Sequence, residues 1–354
     1  MGLLMAVPSF ALSVAFINPG KSDEAYWVAV ADSMKAAADS LGITLEMRFV
    51  ERDHPRALAV VKEMANRPKA QRPDYLVLTN DYDLGPKMLS LLEGSGIRCF
   101  FALSPPSVAA RKEVGAPRQR YPFWIGSLQP HAADAGYLTA KALIAKGRAE
   151  KAQSPDGKLH LLAIAGDRST PVSVERNDGM RRAVVEAGDV VLDQEIYADW
   201  NRDKAAAQST VLFARYPSTR LIWAGSDQMA FGAMQAWEKR GGKPGQDAWF
   251  SGVNTSKEAM EAIQSGRLTA LAGGHFVTGA WSLVMIYDYA HGRDFADEGL
   301  ELDRPMFAAF DAESAQRFQA RFANGYGSID FRKYSKVLNP QLKRYNFSFE
   351  QLLR

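Results

Sequence analysis

Few residue sets in this 354-residue chain have the types and spacing that enzyme chemistry needs. Its five histidines, His54, His131, His160, His275 and His291, show no close metal-ligand spacing. The single cysteine, Cys99, makes neither an internal disulfide nor a thiolate metal site by itself; in its apolar run it reads as a small buried hydrophobe. G-x-S-x-G, Walker A, H-E-x-x-H and C-x-x-C are all absent, and Gly94-Ser95-Gly96 is only a fragment of a dinucleotide fingerprint that follows a helical pattern. No metal and no cofactor is expected. A carboxylate pair acting as acid and base stays open, because a fold can bring distant loops together.

Four polar and aromatic stretches remain, and their chemistry is recognition. Asn18-Pro19-Gly20 leads into Asp23, Glu24, Tyr26 and Trp27, where two aromatics behind a polar turn offer a flat face and hydrogen bonds to a sugar ring; the plainer reading packs one of them on a sheet. Arg176, in Glu175-Arg176-Asn177-Asp178-Gly179-Met180, carries a rigid fork of donors for hydroxyls or a carboxylate, unless it is a surface arginine paired with an acid. Trp200 lies between Asp199 and Asn201 outside any core pattern, as a stacking platform would. In Gly225-Ser226-Asp227-Gln228-Met229, Asp227 reads as a helix N-cap, and Ser226 or Asp227 also as a ligand contact.

Each stretch follows an apolar run. Such runs occupy residues 13–17, 44–50, 75–79, 98–103, 159–165, 190–197, 220–224, 249–253 and 269–272, and amphipathic patterns fill the intervals with a period near 30 residues. Unbroken runs such as Leu76-Val77-Leu78 and Leu161-Leu162-Ala163-Ile164 suit parallel strands covered on both faces. Alternating strands and helices predict an α/β fold, here two similar doubly wound parallel-sheet lobes, since nine strands fit two sheets better than one. Open parallel sheets bind ligands at the carboxyl ends of their strands, which is where the four stretches fall.

In that order and spacing the stretches, with Phe250-Ser251-Gly252-Val253-Asn254, resemble a type I periplasmic solute-binding protein of the ribose/galactose-binding family. The periplasmic receptors for a furanosyl autoinducer are a related resemblance. The likeness spans about residues 13–305. It implies three chain crossings, near 127–129, 273–276 and 303–305, that join a first lobe (12–127 and 276–303) to a second (128–275 and 304–354). It implies that Tyr26 and Trp27 are the aromatics of the first loop, Arg176 the clamping arginine, Trp200 the stacking aromatic and Ser226 the polar residue before the helix. Asn254 stands where many relatives have Asp, and His275 beside Gly274 is the polar group at the hinge. The Asp-Arg that usually follows the fourth strand is replaced by Leu103-Ser104-Pro105, which argues against ordinary ribose or galactose.

Composition agrees. With 43 Lys+Arg against 40 Asp+Glu and no long run of like charge, there is no footprint for nucleic acid. Residues 1–11, apolar and ending in small residues, read as the remnant of a secretory signal, which places the protein in the periplasm. The expectation is a monomer that captures a sugar-like or polyol solute by hinge closure and delivers it to the permease of an ABC importer. The alternative partner is a membrane sensor kinase or cyclase, and an enzyme using the same cleft is the weaker third reading.

Overall fold

The computed structural model describes residues 12–353; the expected signal remnant lies outside them. The first lobe begins β1 (Ser13–Asn18), α1 (Ala25–Leu41), β2 (Thr44–Phe49), α2 (His54–Asn66), β3 (Tyr75–Leu78), α3 (Gly85–Leu92), β4 (Arg98–Ala102), α4 (Arg111–Val114) and β5 (Trp124–Pro130). The second continues α5 (Ala132–Ala149), β6 (Leu159–Ala165), α6 (Pro171–Ala187), β7 (Val190–Tyr197), α7 (Arg202–Arg215), β8 (Leu221–Ala224), α8 (Asp227–Lys239), β9 (Trp249–Val253), α9 (Lys257–Gln264) and β10 (Ala270–Gly273). Then come α10 (Thr278–Ala290), β11 (Glu301–Arg304), β12 (Ala308–Phe310), α11 (Ala312–Arg321) and α12 (Phe349–Leu352).

The strands form two six-stranded sheets, ordered β11-β5-β4-β3-β1-β2 and β12-β10-β9-β8-β6-β7. Every pairing is parallel except β10 with β12. The unbroken apolar runs are buried on both faces. In β3, Val77 joins the core beneath α1 and α10, whereas Leu76 and Leu78 join the one beneath α2 and α3. Cys99 is fully buried among these side chains, and burial pushes its thiol up.

Three strands are absent from the apolar-run reading, for local reasons. In β5, Gly126 and Ser127 interrupt the run, yet glycine is needed there: a Cβ would lie 2.6 Å from the Leu300 carbonyl oxygen and from the Phe295 ring. β11 is the charged edge segment Glu-Leu-Asp-Arg, and β12 is three residues long. The chain passes between the sheets at His131, between Gly273 and Thr278, and between Arg304 and Ala308. The tail divides. β12 and α11 pack with β10 and α9, but the turn at Phe331–Tyr334 lies on α1 and α10, and Phe347 stacks on Trp281 at 5.2 Å. Residues 335–345 are held on α10 by its buried carboxylate, Asp288, whereas Phe349 near the end of the tail returns to Phe310 and Phe318 of β12 and α11.

Candidate functional site

The carboxyl ends of the two sheets face each other across a cavity with about 670 Å³ of empty space, its mouth included. The turn after β1 builds one wall. Asn18 accepts from the Gly20 backbone N–H at 3.0 Å and donates to the Trp27 carbonyl at 3.1 Å, so one buried amide ties the turn to the first turn of α1. Gly20 is required: a Cβ would meet the Trp27 ring at 2.0 Å. Trp27 is therefore laid against the turn with an edge on the cavity, and Tyr26 packs T-shaped on it at 5.0 Å.

Opposite, Arg176 projects from α6 and is 4% exposed. It donates to the Gly225 carbonyl at 2.7 Å and to His275 Nε2 at 2.9 Å, while its Nε has no partner. Its guanidinium lies 5.6 Å from the Trp200 ring and 5.7 Å from Phe307. No carboxylate pairs with it, and burial lowers its pKa to about 10. Because arginine only donates, His275 must accept at Nε2 and carry its proton on Nδ1, which has no partner. Burial, then the Arg176 charge, hold His275 well below the ordinary imidazole range, so it is neutral.

Trp200 owes its pose to two neighbours. Its Nε1 donates to Asp167 at 2.8 Å, and its ring covers Gly166, where a Cβ would lie 2.2 Å from the indole. Burial acts to raise the Asp167 carboxyl, but hydrogen bonds from Thr170, Ser169 and Trp200 hold it low. Asp199 and Trp200 both have left-handed backbones, φ 51° and 60°, a conformation uncommon for such residues.

The helix-capping expectation is corrected. Ser226 has extended backbone and its hydroxyl accepts from the Met229 N–H, so it is the N-cap of α8. Asp227 is already the first helical residue, and its Oδ1 accepts from Asn254 Nδ2 at 2.9 Å and from the Gln228 N–H at 2.8 Å. Burial raises its pKa.

Of the residues singled out in the sequence, Glu24, Tyr26, Trp27, Arg176, Trp200, Ser226, Asp227 and Asn254 line the cavity. Two do not. Asp23 is exposed in the turn before α1 and is not on the cavity lining, which begins at Glu24, the extended N-cap of the helix. His275 sits one layer behind, sandwiched between Tyr26 (4.7 Å) and Phe307 (4.4 Å), and positions Arg176. Sequence reasoning missed Arg52 and Asp81, which follow β2 and β3 just as Trp200 follows β7. Their place after strands was the available signal. Arg52 binds Glu24 with two nitrogens, at 3.0 and 2.5 Å, and reaches Asp81 at 3.5 Å. The lobes also touch directly, the Tyr82 N–H donating to Thr170 Oγ1 at 3.3 Å. Among the described residues there is no group of three His, Cys, Asp or Glu able to hold a metal, and no helix long and apolar enough to cross a membrane.

Two such lobes with a cavity between their strand ends define the type I periplasmic-binding-protein fold. Residues 14–294 match the model of the periplasmic binding protein domain, and the chain belongs to that family. The crystal structure of a periplasmic sugar-binding protein from Pseudomonas fluorescens is 38% identical and superposes with a TM-score of 0.87, covering 97% of this chain and 100% of that one. The ribose import binding protein of Escherichia coli (strain K12) is 24% identical over 266 residues, 75% of this chain and 79% of that protein. A galactofuranose-binding protein shares the fold at 16% identity and a TM-score of 0.73, over 88% of this chain and 99% of that one. The family is one of solute-binding components, and this chain is a binding protein, not an enzyme.

Proposed function

We propose that the protein binds a small neutral sugar or polyol between its lobes in the periplasm and presents it to the permease of an ABC importer. The observation that carries this is Arg176: a buried guanidinium with no carboxylate partner and a free Nε, beside an indole, in an interlobe cavity. An unpaired buried donor is costly unless a ligand supplies the acceptor. Ring hydroxyls supply it, and the C–H face of a sugar covers the edges of Trp27 and Trp200. The carboxylates of Glu24, Asp81 and Asp227 on the same lining oppose a fully anionic guest. Closure then follows from the ligand's higher affinity for the closed state. Relatives agree in kind, one being a ribose import protein and another a sugar-binding protein.

The test is a thermal-shift screen of pentoses, hexoses, polyols and furanosyl compounds. A bound ligand at 100 times its Kd stabilises by about 2.7 kcal/mol, a rise of several degrees in Tm. Arg176→Ala and Trp200→Ala are expected to abolish the shift while leaving a cooperative apo transition. Parent-like binding by either variant would refute this site, and no shift with any sugar or polyol would refute the ligand class.

A further inference from the structure

The stretch after β4 brings no charged group to the cavity. Leu103 is apolar, and the buried Ser104 hydroxyl, on the cavity lining, has no partner. Arg52 and Asp81 follow β2 and β3, the strands on either side of β1, and line the same cavity. Glu24 occupies two of the five guanidinium N–H groups of Arg52, and the Asp81 contact at 3.5 Å is long enough for both partners to accept a better one. The pair is held rigidly. The Arg52 N–H donates to the Pro19 carbonyl at 3.0 Å, Val50 N–H to Asn18 at 2.9 Å, and Asp53 caps α2 at once afterwards. On the other side, Asn80 N–H donates to the Ser104 carbonyl at 2.7 Å, and the Asn80 side chain bridges Asp83 and Gly85. Both turns contain consecutive non-glycine residues at positive φ, Glu51-Arg52 and Tyr82-Asp83, a strain that persists only where surrounding structure imposes it.

Resting on the sugar-binding reading above, we infer that Arg52 and Asp81 act as one donor–acceptor pair that reads two adjacent hydroxyls of the ligand, with Ser104 completing the contact. One hydroxyl accepts from Arg52 and its neighbour donates to Asp81, so the first lobe selects a vicinal diol. The work of the missing Asp-Arg is thereby moved to the β2 and β3 turns.

The experiment takes the sugar or polyol identified by the thermal-shift screen and its monodeoxy analogues. Calorimetry measures their Kd values for the full-length parent, Asp81→Asn and Arg52→Lys, with apo melting as the folding control. A hydrogen bond to a charged group contributes enough that each variant is expected to weaken the full ligand about 10- to 100-fold. In the parent, one deoxy analogue is expected to bind about as weakly. In Asp81→Asn that same analogue and the full ligand are expected to bind alike, a coupling that a merely structural role would not produce. If Arg176→Ala abolishes binding while both first-lobe variants keep parent affinities and parent discrimination among analogues, this inference falls and the binding function stands. If no sugar or polyol binds, both fall.

Discussion

Arg176 and Trp200 show how much of this site is set by single residues that never touch the cavity. Gly166 is the floor under Trp200, and a methyl there would collide with the indole at 2.2 Å. Overpacking of this kind costs about 1–3 kcal/mol, and here the indole is the group that must move. Gly166→Ala is accordingly expected to lower ligand affinity about tenfold or more, measured by calorimetry, with a smaller change in apo Tm. His275 makes a pH-dependent contribution with a definite sign. It is neutral when folded because burial and Arg176 depress its pKa, whereas the unfolded imidazole titrates near its ordinary value of about 6.5. Below that pH the unfolded state binds the extra proton, so stability falls by up to about 1.4 kcal/mol per pH unit as pH drops from 6.5 toward 5. The raised carboxyls of Asp81, at about 6, and Glu175, at about 7, act oppositely, losing stability as pH rises through that range. The discriminating measurement is the difference in Tm between parent and His275→Gln across pH 5 to 8; it should shrink toward low pH, and a constant difference would exclude the assignment.

At the scale of elements, α6 carries Arg176 and its depth is fixed by an unusually close contact with α5. A Cβ on Gly136 would lie 1.8 Å from the Arg176 carbonyl oxygen, and one on Gly179 would lie 1.9 Å from that of Ala133. The two glycines let the helix backbones touch, which seats the arginine at the cavity. Gly179→Val is expected to force the helices apart, lowering Tm by several degrees and weakening binding more than Gly166→Ala does; retention of parent affinity would show that Arg176 is positioned otherwise. α8 is closed by Ser226, so Ser226→Ala should cost about 1 kcal/mol in urea unfolding through the lost cap.

For the molecule as a whole, the crossings and the tail govern how the lobes are held. His275 on one crossing and Phe307 on another both touch Arg176, and Tyr26 of the first lobe stacks on His275. The cavity and the crossings thus share side chains. The tail is fastened to the first lobe by Asp288, which accepts from the Lys336 N–H at 2.7 Å, Val337 N–H at 3.2 Å, the Tyr345 hydroxyl at 2.9 Å and the Ser335 hydroxyl. Asp288→Ala leaves four donors without their acceptor and is expected to cost about 3 kcal/mol or more. Limited trypsin digestion should then release the segment around Lys333 to Arg344; a fragment pattern like the parent's would argue that apolar packing alone holds the tail.

Much was legible in the residues themselves. Apolar runs without alternation can be buried only on both faces, so they announced parallel strands covered by helices, and the polar stretches after them had to lie at strand ends. That placed Trp27, Arg176 and Trp200 after strand ends, and the family resemblance added Asn254; all four line the cavity between the lobes. What one-dimensional order could not carry was direction and company. The turn before α1 put Glu24 on the cavity and left Asp23 in solvent, backbone torsion made Ser226 the cap in place of Asp227, and His275 fell behind Arg176 because Tyr26 and Phe307 flank it. Arg52 and Asp81 become partners only when β2 and β3 are laid on either side of β1, a proximity created by sheet order, which no local pattern of residues encodes.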